Sequence, residues 1–406
     1  MKILLLNDDF PPESYGGAAV IVKRLAEMLA KNHQVLVLTT SKKKSSTSTH
    51  EGYQLKTLKI DYPSRWRWYR SLYNPAVNPQ LKKILADFKP DVVNAHNIHS
   101  YLTYHSLKLA KAQGAIVIFT SHDVMPLFYN RLTKFIDTDN DSIPDTIDPH
   151  FRFFTTAWQT KTEFNPLRNP IIKHYLNTYT DHIVTVSQAL HHLYLQNGYN
   201  HTTVINNCIN IQDWQVSPLN LTKFRLKHHI PTSPTLFYGG RIRSDKGSLA
   251  AIKTLTFNSN IKLVVAGDDR GVTEMKDYAR WLGVTNRIIF LGNIPIKDMK
   301  FVYHATTATI VPSLCFDSFP NNALEAMACA KPLILSKFAG TADMLEHKQH
   351  AYILNPFDDN QLKNAITFVF SQPTKPKQMG LNAQQLVDKT LNPQTWLNQY
   401  LSLFNS

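Results

Sequence analysis

Short apolar runs recur along the chain, each closed by polar or turn-forming residues. KILLLN (2–7), QVLVLTT (34–40), DVVNAH (91–96), AIVIFTSHD (115–123) and HIVTVS (182–187) are rich in Val, Ile and Leu. Runs of this length and composition predict strands. Between them the period changes. AAVIVKRLAEMLAKN (18–32) repeats apolar residues at helical spacing through Val22, Leu25, Ala26 and Leu29, which predicts a helix with one buried face. SKKKSSTSTHEG (41–52) is polar throughout and reads as a loop. Strands alternating with helical stretches give the βαβ rhythm of a parallel sheet.

The rhythm breaks over 210–234, which holds three prolines and no strand pattern. It resumes with TLFYGG (235–240), IKLVVAG (261–267), RIIFLG (287–292), ATIVPS (308–313) and PLILS (332–336), and PQTWLNQYLSLFNS closes the chain as a helix. The fold expected is α/β, with two Rossmann-like doubly wound domains. The first takes residues 1–212 with an insertion at about 124–170, the linker 213–234, the second domain 235–385, and the terminal helix 386–406 crosses back to the first domain.

A length of 406 residues suits two domains. At 43% hydrophobic residues there is ample material for packed cores, which excludes a disordered chain. Three cysteines, Cys208, Cys315 and Cys329, form no CxxC pair and no even-numbered framework. That points to a reducing compartment without structural zinc. No apolar run reaches the roughly 18 residues of a membrane span, and MKILLLNDDF turns acidic too early for a signal-peptide core. The expected location is cytoplasmic. Lys and Arg exceed Asp and Glu by 44 to 30, a formal charge of +14. Such a surface calls for anionic partners: nucleic acid, membrane surface or phosphorylated small molecules.

Candidate chemistry concentrates in PSLCFDSFPNNALEAMACAKP (312–332), where Asp317 and Glu325 flank a helix start after Pro320. Four N–H groups at a helix start lack partners within the helix, and the dipole adds partial positive charge. The site favours phosphate. Acids beside a phosphate would repel it, so these two suit hydroxyl-rich sugars on either side, since a carboxylate accepts hydroxyl hydrogen bonds readily. A structural alternative is an acid that only complements the dipole, plus a surface Glu. In GGRIRSDKGSLAAI (239–252), Arg241 and Lys246 lie on a β-to-α loop and can clamp a diphosphate. A solvated basic loop is the bland reading. In PPESYGGAAV (11–20), Gly16 and Gly17 let backbone approach a ligand at the next helix start.

Together these stretches resemble the family 4 glycosyltransferases, retaining enzymes of the GT-B fold, in which two Rossmann-like domains face a cleft. The family's Pro-Pro-Glu-x-x-Gly-Gly segment and Gly-Arg…Lys-Gly loop are intact here. NHQVLVLTT, TSHDV and VINNCINIQDW resemble three further family segments, in the family's order. The E-x7-E motif departs from the pattern, with Asp317 as its first acid. Cys208 and Asn210 stand where Gly and Asp are usual, and Ala330 where Gly is common.

The resemblance implies a nucleotide-sugar donor, a glycan or lipid-linked acceptor, and a role in cell-surface polysaccharide or glycolipid synthesis. Asp317 would touch the donor sugar, Glu325 the ribose, and Arg241 and Lys246 the diphosphate. Asn322 and Ala323 belong to the donor-binding helix start, and His122 sits near the transferred sugar unless it is a satisfied core histidine. No protein nucleophile is implied, because the leaving phosphate assists the acceptor, and no metal cofactor is required. A non-catalytic nucleotide-sugar-binding module, or another GT-B enzyme such as a nucleotide-sugar epimerase, is the alternative.

Two further segments carry chemistry. DTDNDSIPDTID (137–148) sets Asp137, Asp139, Asp141, Asp145 and Asp148 like a calcium loop, resembling thrombospondin type 3 repeats. It lies in the insertion after His122, on the acceptor side, and a solvated acidic loop is the alternative. SRWRWYRSLY (64–73) interleaves arginines with Trp and Tyr, which suits an anionic membrane surface. Partly buried aromatics with snorkelling arginines are the alternative, and no nucleic-acid motif accompanies the segment.

Overall fold

The computed structural model describes residues 1–14, 16–371 and 374–406. Among the described residues sixteen strands occur in chain order: β1 Lys2–Leu6, β2 Gln34–Ser41, β3 Ser46–His50, β4 Tyr53–Lys59, β5 Val92–Ala95, β6 Ile116–Ser121, β7 Phe135–Ile136, β8 Thr146–Ile147, β9 His182–Thr185, β10 Thr202–Val204, β11 Thr235–Gly240, β12 Lys262–Gly267, β13 Ile288–Gly292, β14 Ala308–Val311, β15 Leu333–Ser336 and β16 Tyr352–Leu354. The chain forms two compact units. One holds Met1–Arg131, Pro149–Asn207 and Trp396–Ser406, and the other Leu132–Asp148 and Cys208–Thr395.

The first unit is built on an eight-stranded sheet of order β10-β9-β6-β5-β1-β2-β4-β3. Every pairing is parallel except β3 with β4. Ile3 to Leu6 of β1 are at most 1% exposed. Burial on both faces is why these strands read as continuous apolar runs rather than alternating ones. The stretch 41–52, read as a loop, instead contains β3. Its Ser/Thr-rich strand lies at the sheet edge with no apolar face to fill, and the turn at Glu51-Gly52 has φ of 39° and 89°. Two successive left-handed residues give the turn that closes a tight hairpin.

The second unit has a six-stranded parallel sheet of order β13-β12-β11-β14-β15-β16. Its core packs Leu236, Leu263, Val265, Ile310 and Ile334 against helices on the sheet. In both sheets the strand order reverses about a central strand, between β1 and β5 in one and between β11 and β14 in the other. Open α/β sheets bind ligands at the carboxyl ends of the strands at such a reversal.

Two segments leave their sequence neighbourhood. The helix Pro393–Phe404 places Trp396, Tyr400 and Phe404 in the first unit, with Tyr400 Oη 3.4 Å from Thr120 Oγ1. The β7–β8 hairpin, expected as part of the first domain's insertion, packs instead in the second unit. The Phe135 ring packs tilted against Phe338 and edge-on to Phe357, at 4.3 and 5.3 Å between ring centroids, and Phe316 N–H donates to Leu132 O at 2.8 Å. Packing of Phe135 and Phe357 around the buried Phe338 outweighs chain proximity there. Among the described residues no helix is long and apolar enough to cross a membrane.

Candidate functional site

The loop after β11 is set by two glycines. Gly240 and Gly247 have φ of 112° and 77°, conformations that L side chains avoid. A Cβ on Gly247 would lie 1.9 Å from Pro312 O, so glycine lets this loop press onto the loop after β14. Tyr238 Oη lies 3.3 Å from Arg241 O and 3.4 Å from Lys246 O, bridging both ends of the loop. That close approach delivers Lys246 Nζ to 2.5 Å from Asp317 Oδ2, which also accepts from Ser313 Oγ at 3.3 Å. Asp317 is held by its backbone: its N–H donates to Phe338 O at 3.1 Å, and its carbonyl accepts from Gly340 N–H at 2.7 Å.

The helix Asn321–Ala328 starts beside this pair. No side chain caps it and its first turn holds no acid, so the N–H end keeps its affinity for an anion. Asn322 Nδ2 donates to Gly239 O at 2.9 Å, tying the helix start to β11. Ala323 is buried, and its N–H turns back to Pro320 O at 3.1 Å. Glu325 Oε2 accepts from Tyr303 Oη at 2.7 Å, and Tyr303 Oη also reaches Asn322 O at 3.2 Å. Burial first, and then the Glu325 carboxylate, push the Tyr303 phenol well above its ordinary range, so it remains a donor. Arg241 is exposed at the mouth of its loop. Thus Arg241, Lys246, Asp317, Asn322 and Glu325 lie on two adjoining loops and one helix start. Tyr238, Tyr303 and Ser313 complete the arrangement. Tyr303 and Ser313 sit in ordinary apolar or strand-end contexts, and Tyr238 within a strand run, so no sequence signal marks them.

In the first unit, Gly16 precedes the helix Gly17–Leu29 just beyond β1. Gly16 has φ −61° and ψ 153°, open to any residue, so only lack of a side chain distinguishes it. His122 follows β6, and its Nε2 lies 2.9 Å from Nδ1 of the buried His96. His122 is half-buried. Desolvation, opposed by Asp123 and aided by His99, brings it down to about 4. His96 is held well below the ordinary value by burial and by His122. The two rings are therefore neutral at pH 7 and share one proton between those nitrogens. His99 Nε2 lies 3.4 Å from Asp123 Oδ1. Desolvation alone would raise Asp123, but His99, the Met125 N–H and His122 hold it at about 2. Asp8, just past β1, accepts N–H groups of Ser100, Tyr101 and Leu102 at 2.7, 3.0 and 2.8 Å. Burial outweighs those bonds and brings its carboxyl up to about 6. Asp8, His96 and His99 gather at the strand-order reversal, and only the fold shows that they meet.

The acidic hairpin spends its carboxylates on itself. Asp137 accepts from Ser142 N–H at 2.8 Å, Asp141 from Ile143 N–H at 2.8 Å, and Asp145 from the N–H and Oγ1 of Thr138 at 3.1 and 2.6 Å. Asp139 is raised, chiefly by the Asp145 carboxylate. Ser142, where an EF-hand places Gly, takes φ 69°. Among the described residues no three His, Cys, Asp or Glu side chains are grouped to hold a metal ion.

The family described as Glycosyltransferase Family 4 matches residues 15–213, and that described as Glycosyl transferases group 1 matches residues 222–386. An uncharacterised glycosyltransferase of Methanocaldococcus jannaschii is 25% identical over 48% of this chain and 53% of its own length. The lipopolysaccharide 1,2-N-acetylglucosaminetransferase of Salmonella typhimurium is 33% identical over 32% of this chain and 38% of its own length. The chain spans about half or less of the length of these curated relatives. Two solved structures share the fold over the whole chain. Sucrose-phosphate synthase of Thermosynechococcus elongatus has a TM-score of 0.77 at 18% identity, covering 100% of this chain and 98% of that one. Anabaena HepE, in complex with UDP and glucose, has a TM-score of 0.74 at 18% identity, covering 100% of both. The two family matches fall on the two α/β units in turn, and the chain belongs to the family 4 glycosyltransferases of the GT-B fold.

Proposed function

We propose that this protein transfers a hexose from a nucleotide-sugar donor to a glycan or lipid-linked acceptor, with retention at the anomeric carbon. The product would enter cell-surface polysaccharide or glycolipid synthesis, on the inner face of the membrane. The observation that carries this reading is the Lys246–Asp317 pair beside the uncapped start of Asn321–Ala328. One cation, one carboxylate and a helix N-terminus stand together at the strand-order reversal of the second sheet.

A donor diphosphate competes with Asp317 for Lys246. On binding it takes Lys246 and the helix N–H groups, and Asp317 is released to accept hydroxyls of the sugar. Glu325, already oriented by Tyr303, accepts from the ribose. As the bond from the anomeric carbon to phosphate breaks, Arg241 and Lys246 stabilise the departing negative charge. The acceptor oxygen bonds to that carbon on the same face, and its proton passes to a phosphate oxygen of the leaving nucleoside diphosphate. His122 stands in the first unit as a neutral ring able to hydrogen-bond the transferred sugar. The solved HepE complexes with UDP and UDP-glucose support a uridine nucleotide, and the lipopolysaccharide relative supports a glycan acceptor.

A thermal-shift panel of nucleotide sugars tests the donor, because a ligand at 100-fold its dissociation constant stabilises by about 2.7 kcal/mol. Slow donor hydrolysis without acceptor should accompany the shift. A shift with no turnover under any acceptor condition would make the protein a binding module instead.

A further inference from the structure

Two distant segments of the first unit form one exposed aromatic face. The first is the turn Ser64–Trp66 with the helix Arg67–Arg70. Trp68 is buried there at 5%, while Trp66 and Tyr69 are 46% and 39% exposed. The second is the helix Phe153–Thr160, with Phe154 and Trp158 exposed at 86% and 78%. Their four-residue spacing puts both rings on one side of the helix. The segments are locked together. Tyr69 Oη donates to Phe164 O at 2.8 Å, and Asn165 Nδ2 to Trp68 O at 3.3 Å. The Phe153 ring lies edge-on to Phe164 and Phe154, at 5.0 and 5.5 Å between centroids.

The Phe153–Thr160 helix is amphipathic in the inverted sense. The side chain it buries is Thr156, and the largest rings face out. Water-facing helices do the opposite, and a contiguous exposed apolar patch marks an interaction surface. The charge around the patch selects the partner. Residues 64–73 and 150–164 carry Arg65, Arg67, Arg70, Arg152 and Lys161, against one acid, Glu163. A second copy docked on this face by two-fold symmetry would bring its five cations against these five. Aromatic rings between cations instead match the headgroup layer of a negatively charged bilayer, where Trp and Phe settle at the interface and Arg meets lipid phosphate.

We infer that this face, led by Phe154 and Trp158, docks the protein on an anionic lipid bilayer. The inference deepens the membrane-surface part of the proposed function by naming the residues that make contact. It does not depend on donor chemistry. Both rings are solvent-exposed, so Phe154→Ser with Trp158→Ser leaves the core intact.

Co-sedimentation with phosphatidylglycerol–phosphatidylcholine vesicles, without donor or acceptor, tests it. The wild type should bind these vesicles at least tenfold better than pure phosphatidylcholine. Raising salt should weaken binding. The double Ser variant should bind at least tenfold more weakly, with its circular dichroism and melting unchanged. Arg65→Gln with Arg70→Gln should lower affinity for anionic vesicles by about fivefold per residue. Wild-type binding by the double Ser variant, or no wild-type sedimentation at low salt, overturns the inference. So does a wild-type dimer in sedimentation velocity that the double Ser variant makes monomeric. A failed vesicle assay leaves the transferase reading standing, and a failed donor assay leaves the docking face standing.

Discussion

Lys246 Nζ lies 2.5 Å from Asp317 Oδ2 across two loops that a single glycine allows to touch. The pair is partly buried, with side chains 21% and 18% exposed, so neither charge is fully relieved by water. Losing Lys246 therefore removes a cation from the site and also leaves Asp317 facing the incoming diphosphate. Lys246→Ala should weaken nucleoside diphosphate binding by on the order of 2–5 kcal/mol. Asp317→Asn removes the competitor for Lys246, so the bare nucleotide should bind as well as before or more tightly, while turnover falls. Calorimetry with a nucleoside diphosphate separates the two variants. Equal weakening in both would show that the pair serves only the fold.

Glu325 behaves differently, because Tyr303 already holds one of its oxygens. Glu325→Gln loses a charged acceptor, and charge-assisted hydrogen bonds contribute about 1.5–3 kcal/mol. Binding of the bare nucleotide should weaken by that order. Tyr303→Phe keeps the carboxylate but releases its orientation, at a smaller loss of about 0.5–1.5 kcal/mol. Nucleotide affinity that ignores both substitutions would confine Glu325 to the helix.

Gly247 and Gly283 make a matched pair for backbone cost. Both have positive φ, 77° and 69°, but a Cβ on Gly283 meets nothing within 4 Å. Gly283→Ala should cost about 1–2 kcal/mol, the penalty of a left-handed L residue. Gly247→Ala adds a collision with Pro312 O and should cost more, while also lowering donor affinity as the loop retreats. Equal melting temperatures for the two variants would contradict the close approach.

The parallel core was legible because strands buried on both faces leave uninterrupted apolar runs; β1, β2, β6, β11 and β12 all announce themselves in this way. Edge elements do not. The strand Ser46–His50 has alternating Ser and Thr, exposed on most of its length, and nothing apolar to betray it. Of the site, Arg241, Lys246, Asp317 and Glu325 stood out because charges clustered about glycines and a helix start are unusual. Their contacts were not legible, since Lys246 and Asp317 are 71 residues apart and meet only because β11 and β14 are neighbours. Tyr303 and Asp8 were invisible for the same reason. Their roles come from what the sheet order brings beside them, and a lone buried Tyr or strand-end Asp has many ordinary explanations.

Calcium tests the acidic hairpin. Asp145 raises Asp139 across the loop, so like charge is already crowded there. A hard cation drawn into alternating carboxylates would relieve that repulsion. If the hairpin binds calcium, the added ion should raise the melting temperature, and a variant with Asp137, Asp139 and Asp141 all changed to Asn should not respond. A melting curve unmoved by either calcium or chelator would leave the hairpin as a solvated turn.

The histidine pair sets a pH dependence of known sign. His122 titrates at about 4 when folded against about 6.5 when unfolded. At pH 7 both states are neutral and nothing is lost. As pH falls below 6.5 the unfolded chain takes up a proton that the folded ring refuses, so stability declines until about pH 4. His96 acts in the same direction. Asp8 acts in the other: its folded carboxyl, at about 6, binds a proton before the unfolded one does, and stability is gained as pH falls from 6 toward 4. The three effects can be separated by urea unfolding at pH 7 and pH 5. His122→Asn should lose less stability than wild type between those values, by up to about 2 kcal/mol at 1.36 kcal/mol per pKa unit. Asp8→Asn should lose more than wild type, because the compensating proton is gone. Parallel pH profiles for wild type and His122→Asn would mean that the ring is hydrated and charges freely, and the neutral pairing of His96 with His122 would then be untenable.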